Sequence, residues 1–194
     1  MKKILLLAVL FVSVSAFAGI DYGLEAGQTR LGVYGGISVP QDWDLANGAS
    51  EAPGETGPLF GIELIRNINT IFALGIDLNY ASYGNNDIGN GGKIKSHRFG
   101  GNVVGRINFF PEQPTRIYIP AGVGLNYYKA EDNAGNSENQ TGVAFFGGVG
   151  VEFDLSPVWT LGMEGRYTFM PLDSDKFADD FSSLDLVLKL GARF

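Results

Sequence analysis

Ser96 and His97 are the one place in this chain where a nucleophile and a base stand side by side, and His97 is the only histidine. A serine attacks an acyl carbon when an imidazole takes its proton, and a third group must orient that imidazole. The chemistry needs both side chains on one surface. Residues around the pair alternate between apolar and polar, which predicts an extended strand, and strand neighbours point to opposite faces. The pair is therefore expected to be split, with His97 as an interfacial polar residue. No catalytic residue is assigned. Carboxylates offer a second chemistry, since Asp173, Asp175, Asp179 and Asp180 are hard oxygen ligands crowded into one segment. Their spacing matches no calcium loop, and they read as a solvated acidic surface. With no cysteine and one histidine, neither a zinc site nor a disulfide framework is expected. No metal or cofactor is assigned.

A larger set of charged side chains recurs at every second position. Arg30, Glu63, Asp77, Arg98, Arg106, Glu152, Asp154, Glu164, Arg166, Asp185, Lys189 and Arg193 share one face of their segments with many glycines. Six of each sign among small residues suits a narrow polar interior, because buried charge is costly unless paired. The chemistry predicted for them is ion pairing, not catalysis.

Eight alternating runs carry these residues: 29–39, 59–66, 71–83, 94–109, 116–128, 142–154, 159–169 and 183–194. Leu31 and Val33, Ile76 and Leu78, or Leu186, Leu188 and Leu190 occupy the opposite, apolar face. Period two repeated eight times predicts eight strands. Ile65 interrupts the second run, and Pro58 stands just before it. Most runs have 11 or more residues, whereas a tilted strand needs roughly 9–11 to cross a bilayer. Short links around 66–70, 110–115 and 155–158 alternate with longer polar ones at about 40–57, 84–93, 130–141 and 171–182. Short turns on one rim and longer loops on the other are the pattern of outer-membrane barrels.

A soluble carrier of the lipocalin kind also has eight strands, but it buries its apolar face. Two features favour lipid on that face. Its charged or polar exceptions, Arg66, Lys95 and His97, lie near run ends. Its aromatics gather in two bands, with Phe72, Phe109, Phe153, Trp159 and Phe194 toward the short turns and Tyr80, Tyr127, Phe145, Tyr167 and Phe169 toward the longer links. Amphipathic rings belong where headgroups begin. The expected fold is an all-β, eight-stranded antiparallel up-and-down transmembrane barrel over 29–194.

Residues 1–18 are expected to be a cleaved signal peptide. Lys2 and Lys3 precede the apolar run Ile4–Val12, and Ala16-Phe17-Ala18 forms an A-x-A site. A short periplasmic segment, 19–28, follows. The remaining 176 residues carry 12 basic and 21 acidic side chains, a net charge of −9. That excludes a nucleic-acid partner, which would require a basic surface. The longer links hold twelve carboxylates, among them Asp42, Asp44, Glu51, Glu55, Glu131, Asp132 and Glu138, with only Lys93, Lys129 and Lys176 to offset them. They read as an acidic outer surface on which Trp43, Phe177 and Phe181 are exposed anchors for a possible host or surface ligand.

The segment Tyr118-Ile119-Pro120-Ala121-Gly122-Val123-Gly124-Leu125 and the last run, Leu184 to Phe194, resemble the small OmpA/OmpX-type barrels of the outer-membrane β-barrel domain family. The resemblance covers residues 29–194. It implies insertion by the barrel assembly machinery, with Leu186, Leu188, Leu190 and Phe194 as its C-terminal recognition signal. It also implies an outer membrane setting among lipid and lipopolysaccharide, with periplasmic termini and extracellular longer loops. Unlike full-length OmpA, the chain is expected to end at the barrel. Members serve as structural barrels, adhesins, complement-resistance factors or pores, and the fold does not choose among them. Some small barrels modify lipid A, but the deacylase pattern of His and Ser two apart on one face is missing. The expected role is structural or adhesin-like with a plugged lumen. A narrow solute conduit is the alternative, and a lipid A-modifying enzyme or soluble carrier stands behind it.

Overall fold

The computed structural model describes residues 23–41, 55–88, 92–132, 137–171 and 180–194. Eight strands follow one another in chain order: β1 (Thr29–Pro40), β2 (Gly57–Asn67), β3 (Phe72–Ile88), β4 (Gly92–Phe109), β5 (Thr115–Asp132), β6 (Ser137–Asp154), β7 (Trp159–Pro171) and β8 (Asp180–Arg193). Each pairs antiparallel with the next, and β8 closes on β1, so the sheet is a barrel without edges.

The register fixes the tilt. Directly paired residues traced once round the wall from Thr29 pass Arg66, Leu74, Gly105, Ala121, Gly147, Tyr167 and Leu184. The trace returns to β1 at Val39, ten residues above its start. With about 3.3 Å per residue and about 4.8 Å between strands, that stagger over eight strands gives a tilt of about 40°. Each residue then rises about 2.5 Å along the barrel axis, and each step to the next strand along the register adds about 3 Å.

Side chains build the short turns. Asn69 Oδ1 accepts the N–H groups of Ile71 (2.8 Å) and Phe72 (2.7 Å) between β2 and β3. Ser156 Oγ accepts those of Val158 (3.2 Å) and Trp159 (2.9 Å) between β6 and β7. Both replace backbone partners where the chain reverses. Phe110, at the β4–β5 turn, holds φ at 56°, the left-handed region that side chains seldom enter.

Two links expected to be long are not. β3 runs to Ile88 before β4 begins at Gly92, and β5 runs to Asp132 before β6 begins at Ser137. Polar composition suggested loops there, but ladder pairing continues past the apolar stretch, through an irregularity between Tyr83 and Asn86. β3–β6 therefore stand above the other four strands on the loop side. β2 also begins earlier than expected, at Gly57, and includes Pro58.

Glycine makes room for three inward rings. Tyr34 is paired with Gly61, Tyr118 with Gly150 and Phe146 with Gly122. A Cβ on Gly150 would lie 2.2 Å from the Tyr118 ring, and one on Gly122 2.3 Å from that of Phe146. The rings lie across the bare backbone of their partners, as aromatic residues do over strand glycines. Gly150→Ala is expected to lose about 1–3 kcal/mol, the usual cost of overpacking. Urea unfolding in lipid vesicles measures it, and a neutral result would show that the ring has somewhere else to go.

Candidate functional site

All twelve charged residues expected on the inner face are there and buried, and Arg116 joins them. The expectation of six against six is corrected to seven cations against six carboxylates among the described residues. Arg116 opens β5 beside a turn, but counting back by twos from Tyr118 places it inside.

Eleven of the thirteen form one connected network. Glu152 lies at its lower hub, taking contacts from Arg106 (3.0 Å), Arg116 (3.1 Å), Arg193 (3.4 Å) and, closer still, Arg30. Asp154 binds Arg116 and Arg193. Arg30 also reaches Glu63 (2.7 Å), which Lys189 shares (2.8 Å). Lys189 bridges on to Glu164 (2.6 Å), Glu164 to Arg166 (2.7 Å), and Arg166 to Asp77 (3.3 Å). The Tyr34 hydroxyl donates to Asp77 (2.6 Å). Above this chain Arg98 pairs with Asp185 (2.9 Å), which also accepts from Ser38 and Ser183. Arg98–Asp185, Arg166–Asp77 and Arg30–Glu152 reach across the bore, while the other pairs join the same or nearby strands and link the last two of these crossings together. Arg106 stacks on Tyr118 at 3.5 Å, and Arg166 lies against both Phe146 and Tyr34.

Both ends are covered. At the loop end an apolar layer of Leu59, Tyr83, Tyr128, Ala144, Met170 and Phe181 overlies Arg98 and Asp185. Phe181 was expected to be an exposed anchor, and this is corrected: it is 1% exposed. Alternation run back from Asp185 through Ser183 points it into the bore. Trp43 and Phe177, and the acidic residues 42, 44, 51, 173, 175 and 179, lie outside the described residues. At the short-turn end the stretch 23–28 crosses the mouth. Leu24 N–H donates to the Pro111 carbonyl (3.0 Å) and Gly27 N–H to that of Asn67 (2.8 Å). Beneath buried Leu24 is a cavity of about 10 Å³, lined by Arg30, Ile65, Asn67, Arg106 and Arg193 among others. It has room for roughly one water molecule. Ile65, the break in alternation, helps wall that cavity instead of facing outward.

The outer face is apolar throughout its middle. Leu125 is 62% exposed, while Asp77 on the inner face is 1% exposed. Placing each outward residue by the rise per residue and per strand puts Phe72, Phe109, Trp159 and Phe194 within about 4 Å of one level. Tyr80, Tyr127, Phe145, Tyr167 and Phe169, joined by Phe60 and Phe99, centre about 22 Å higher, close to the apolar band of about 25 Å in such barrels. Phe153 shares the lower level but is corrected as a girdle member, being 7% exposed. Alternation fails at that strand end: Glu152, Phe153 and Asp154 are all buried, and Phe153 sits between its register partners Thr115 and Leu161. Leu186, Leu188, Leu190 and Phe194 all face outward.

Ser96 is buried on the inner face, whereas His97 faces out and stacks on Tyr80. They form no dyad.

Solved structures share this architecture. Neisserial surface protein A is 18% identical, with 87% of this chain and 99% of that chain covered and a TM-score of 0.61. Ail, the attachment invasion locus protein of Yersinia pestis, crystallised with the heparin analogue sucrose octasulfate, is 15% identical over 87% and 99%, with a TM-score of 0.59. OprG of Pseudomonas aeruginosa is 12% identical over 90% and 99%, with a TM-score of 0.56. At such identities the likeness is one of fold. No curated protein sequence matches the chain. The model of the outer membrane protein beta-barrel domain matches residues 4–194, and the chain belongs to that family of the outer membrane.

Proposed function

We propose that the protein is a closed, non-enzymatic barrel that serves the integrity of the outer membrane and presents an acidic surface outward. The carrying observation is the bore itself, crossed from wall to wall by ion pairs and covered at both ends. An eight-stranded barrel is just wide enough for side chains to fill, and here they do. Residues 1–18 are removed on export, and 19–28 remains on the periplasmic side with both barrel termini. The longer links face outward. The alternating last strand with Phe194 is the signal read by the assembly machinery.

Ail was crystallised with a polyanion. The seven carboxylates of residues 41–56 and 172–179, between β1 and β2 and between β7 and β8, would repel such a ligand. A basic or neutral surface partner fits them better.

Refolded protein in planar bilayers is expected to carry no steady single-channel current, while its gel mobility shifts on boiling. Large, persistent openings would overturn the closed-barrel reading. Mobility unchanged by heat, or solubility without detergent, would overturn the membrane barrel itself.

A further inference from the structure

We propose that the cavity beneath Leu24, at the short-turn end of the bore, is a site for one small anion of the halide class. The inference goes beyond the role proposed above and needs only the barrel and its buried charges. Among the described residues seven cations and six carboxylates are buried inside, and the surplus is not spread evenly. Arg98 is matched by Asp185, while Arg166 and Lys189 share Asp77, Glu164 and Glu63. That leaves Arg30, Arg106, Arg116 and Arg193 around Glu152 and Asp154, with Arg30 also reaching Glu63. Glu25, the carboxylate of the covering stretch 23–28, is exposed.

This end of the bore cannot discharge itself by titration, because guanidinium groups keep their protons in proteins. A buried charge without a counterion is costly. One monovalent anion makes the count even.

The cavity lies where the surplus gathers. It has a volume of about 10 Å³, and Arg30, Arg106 and Arg193 line it together with the amides of Gln28, Asn67 and Asn108. Arg30 Nε is buried with no hydrogen-bond partner, although the terminal nitrogens of the same side chain engage Glu63 and Glu152. A halide accepts from several N–H groups at once and asks for no acceptor in return. A water in the same place brings two hydrogens that need acceptors and leaves the surplus charge as it was. Glu152 also borders the cavity, but four arginines already contact that carboxylate, so it does not turn the site negative. A space for about one water admits a chloride once the flexible arginine ends give slightly.

The covering stretch isolates the site from bulk water. Leu24 N–H donates to the Pro111 carbonyl (3.0 Å), and Asn67 Nδ2 donates to the Glu25 carbonyl (3.3 Å). Leu24 and Ile65, both buried, form its apolar walls. In such surroundings an anion and three guanidinium groups attract each other more strongly than in water, which offsets the ion's lost hydration.

The test follows urea unfolding of residues 19–194 in phosphatidylcholine vesicles, with chloride exchanged for gluconate at constant ionic strength. Above the dissociation constant, each tenfold rise in chloride is expected to shift the unfolding equilibrium about tenfold toward the barrel. R106Q makes the buried charges six against six and removes one lining guanidinium, so its stability should no longer follow chloride. R66A changes an outward-facing arginine and should keep the wild-type dependence. Crystals of the wild type soaked in bromide should show an anomalous peak between Arg30, Arg106 and Arg193, a result that stands even if R106Q fails to fold. Equal stability in chloride and gluconate overturns the site, and a bromide peak without that dependence then marks an adventitious ion only. Chloride dependence that persists in R106Q, or vanishes in R66A, puts the ion elsewhere and overturns it too. Ordered density without anomalous signal means that water fills the cavity, and the proposal fails.

Discussion

Glu152→Gln is expected to cost the barrel roughly 3–5 kcal/mol, the loss seen when one member of a buried ion cluster is removed. Arg30, Arg106, Arg116 and Arg193 all contact this one carboxylate. Asp154 holds two of them and Glu63 a third, which leaves Arg106 with no carboxylate partner once Glu152 is neutral. Seven buried cations already face six carboxylates, so removing a negative charge widens the imbalance, whereas removing an arginine narrows it. Arg106→Gln alone should therefore cost less than Glu152→Gln, and adding it to Glu152→Gln should recover part of the loss. That sign is distinctive, because independent sites would add. Glu112→Gln, on an exposed turn, serves as the control and should stay within about 0.5 kcal/mol. Equilibrium unfolding in urea-treated lipid vesicles reads all four variants. A double variant weaker than either single one would show that the arginines do not depend on this hub.

The alternation that predicts this cluster was legible wherever inner and outer faces differ in polarity. Arg30, Asp77 and Lys189 stand beside outward leucine or isoleucine, so the period of two shows itself. It fades where both faces are apolar. Leu59, Ala144, Phe146 and Met170 point inward beside outward aliphatic and aromatic neighbours, and no contrast in the sequence marks them. The apolar layer at the loop end was missed for that reason, and Phe181 with it. The opposite failure lengthened the strands. Beyond the hydrocarbon both faces of β3–β6 are polar, so composition resembles a loop while the ladder continues. Leu24 was hidden for a third reason: a single apolar residue in a polar stretch has no period, and its burial depends on a mouth that only the closed barrel creates. The register carried information that no single strand held. Aromatics that seem scattered along the chain fall into two levels once the ten-residue stagger between Thr29 and Val39 is known.

That levelling makes the depth of the bilayer testable through the cost of a misplaced charge. Ile76 lies on the outer face of β3, about 11 Å above the lower aromatic level by the rise per residue and per strand, near the middle of the band. Ile76→Arg should cost about 2–4 kcal/mol, and Phe72→Arg, one turn of the pleat from the rim, about 0–1 kcal/mol. The two positions are four residues apart on one strand and one face, and both are about half exposed. Water on that face would make them equivalent, because an exposed arginine is cheap anywhere on a solvated sheet. Only a medium that cannot solvate charge separates them, and it does so by depth, since the guanidinium at position 72 reaches the headgroups while that at 76 must distort the bilayer or be desolvated. Unfolding free energies in vesicles should therefore rank the wild type and Phe72→Arg together, with Ile76→Arg well below. Equal costs at the two sites would place the apolar wall somewhere other than in hydrocarbon, and the ion pairs of the bore would then need a different reason for being inside.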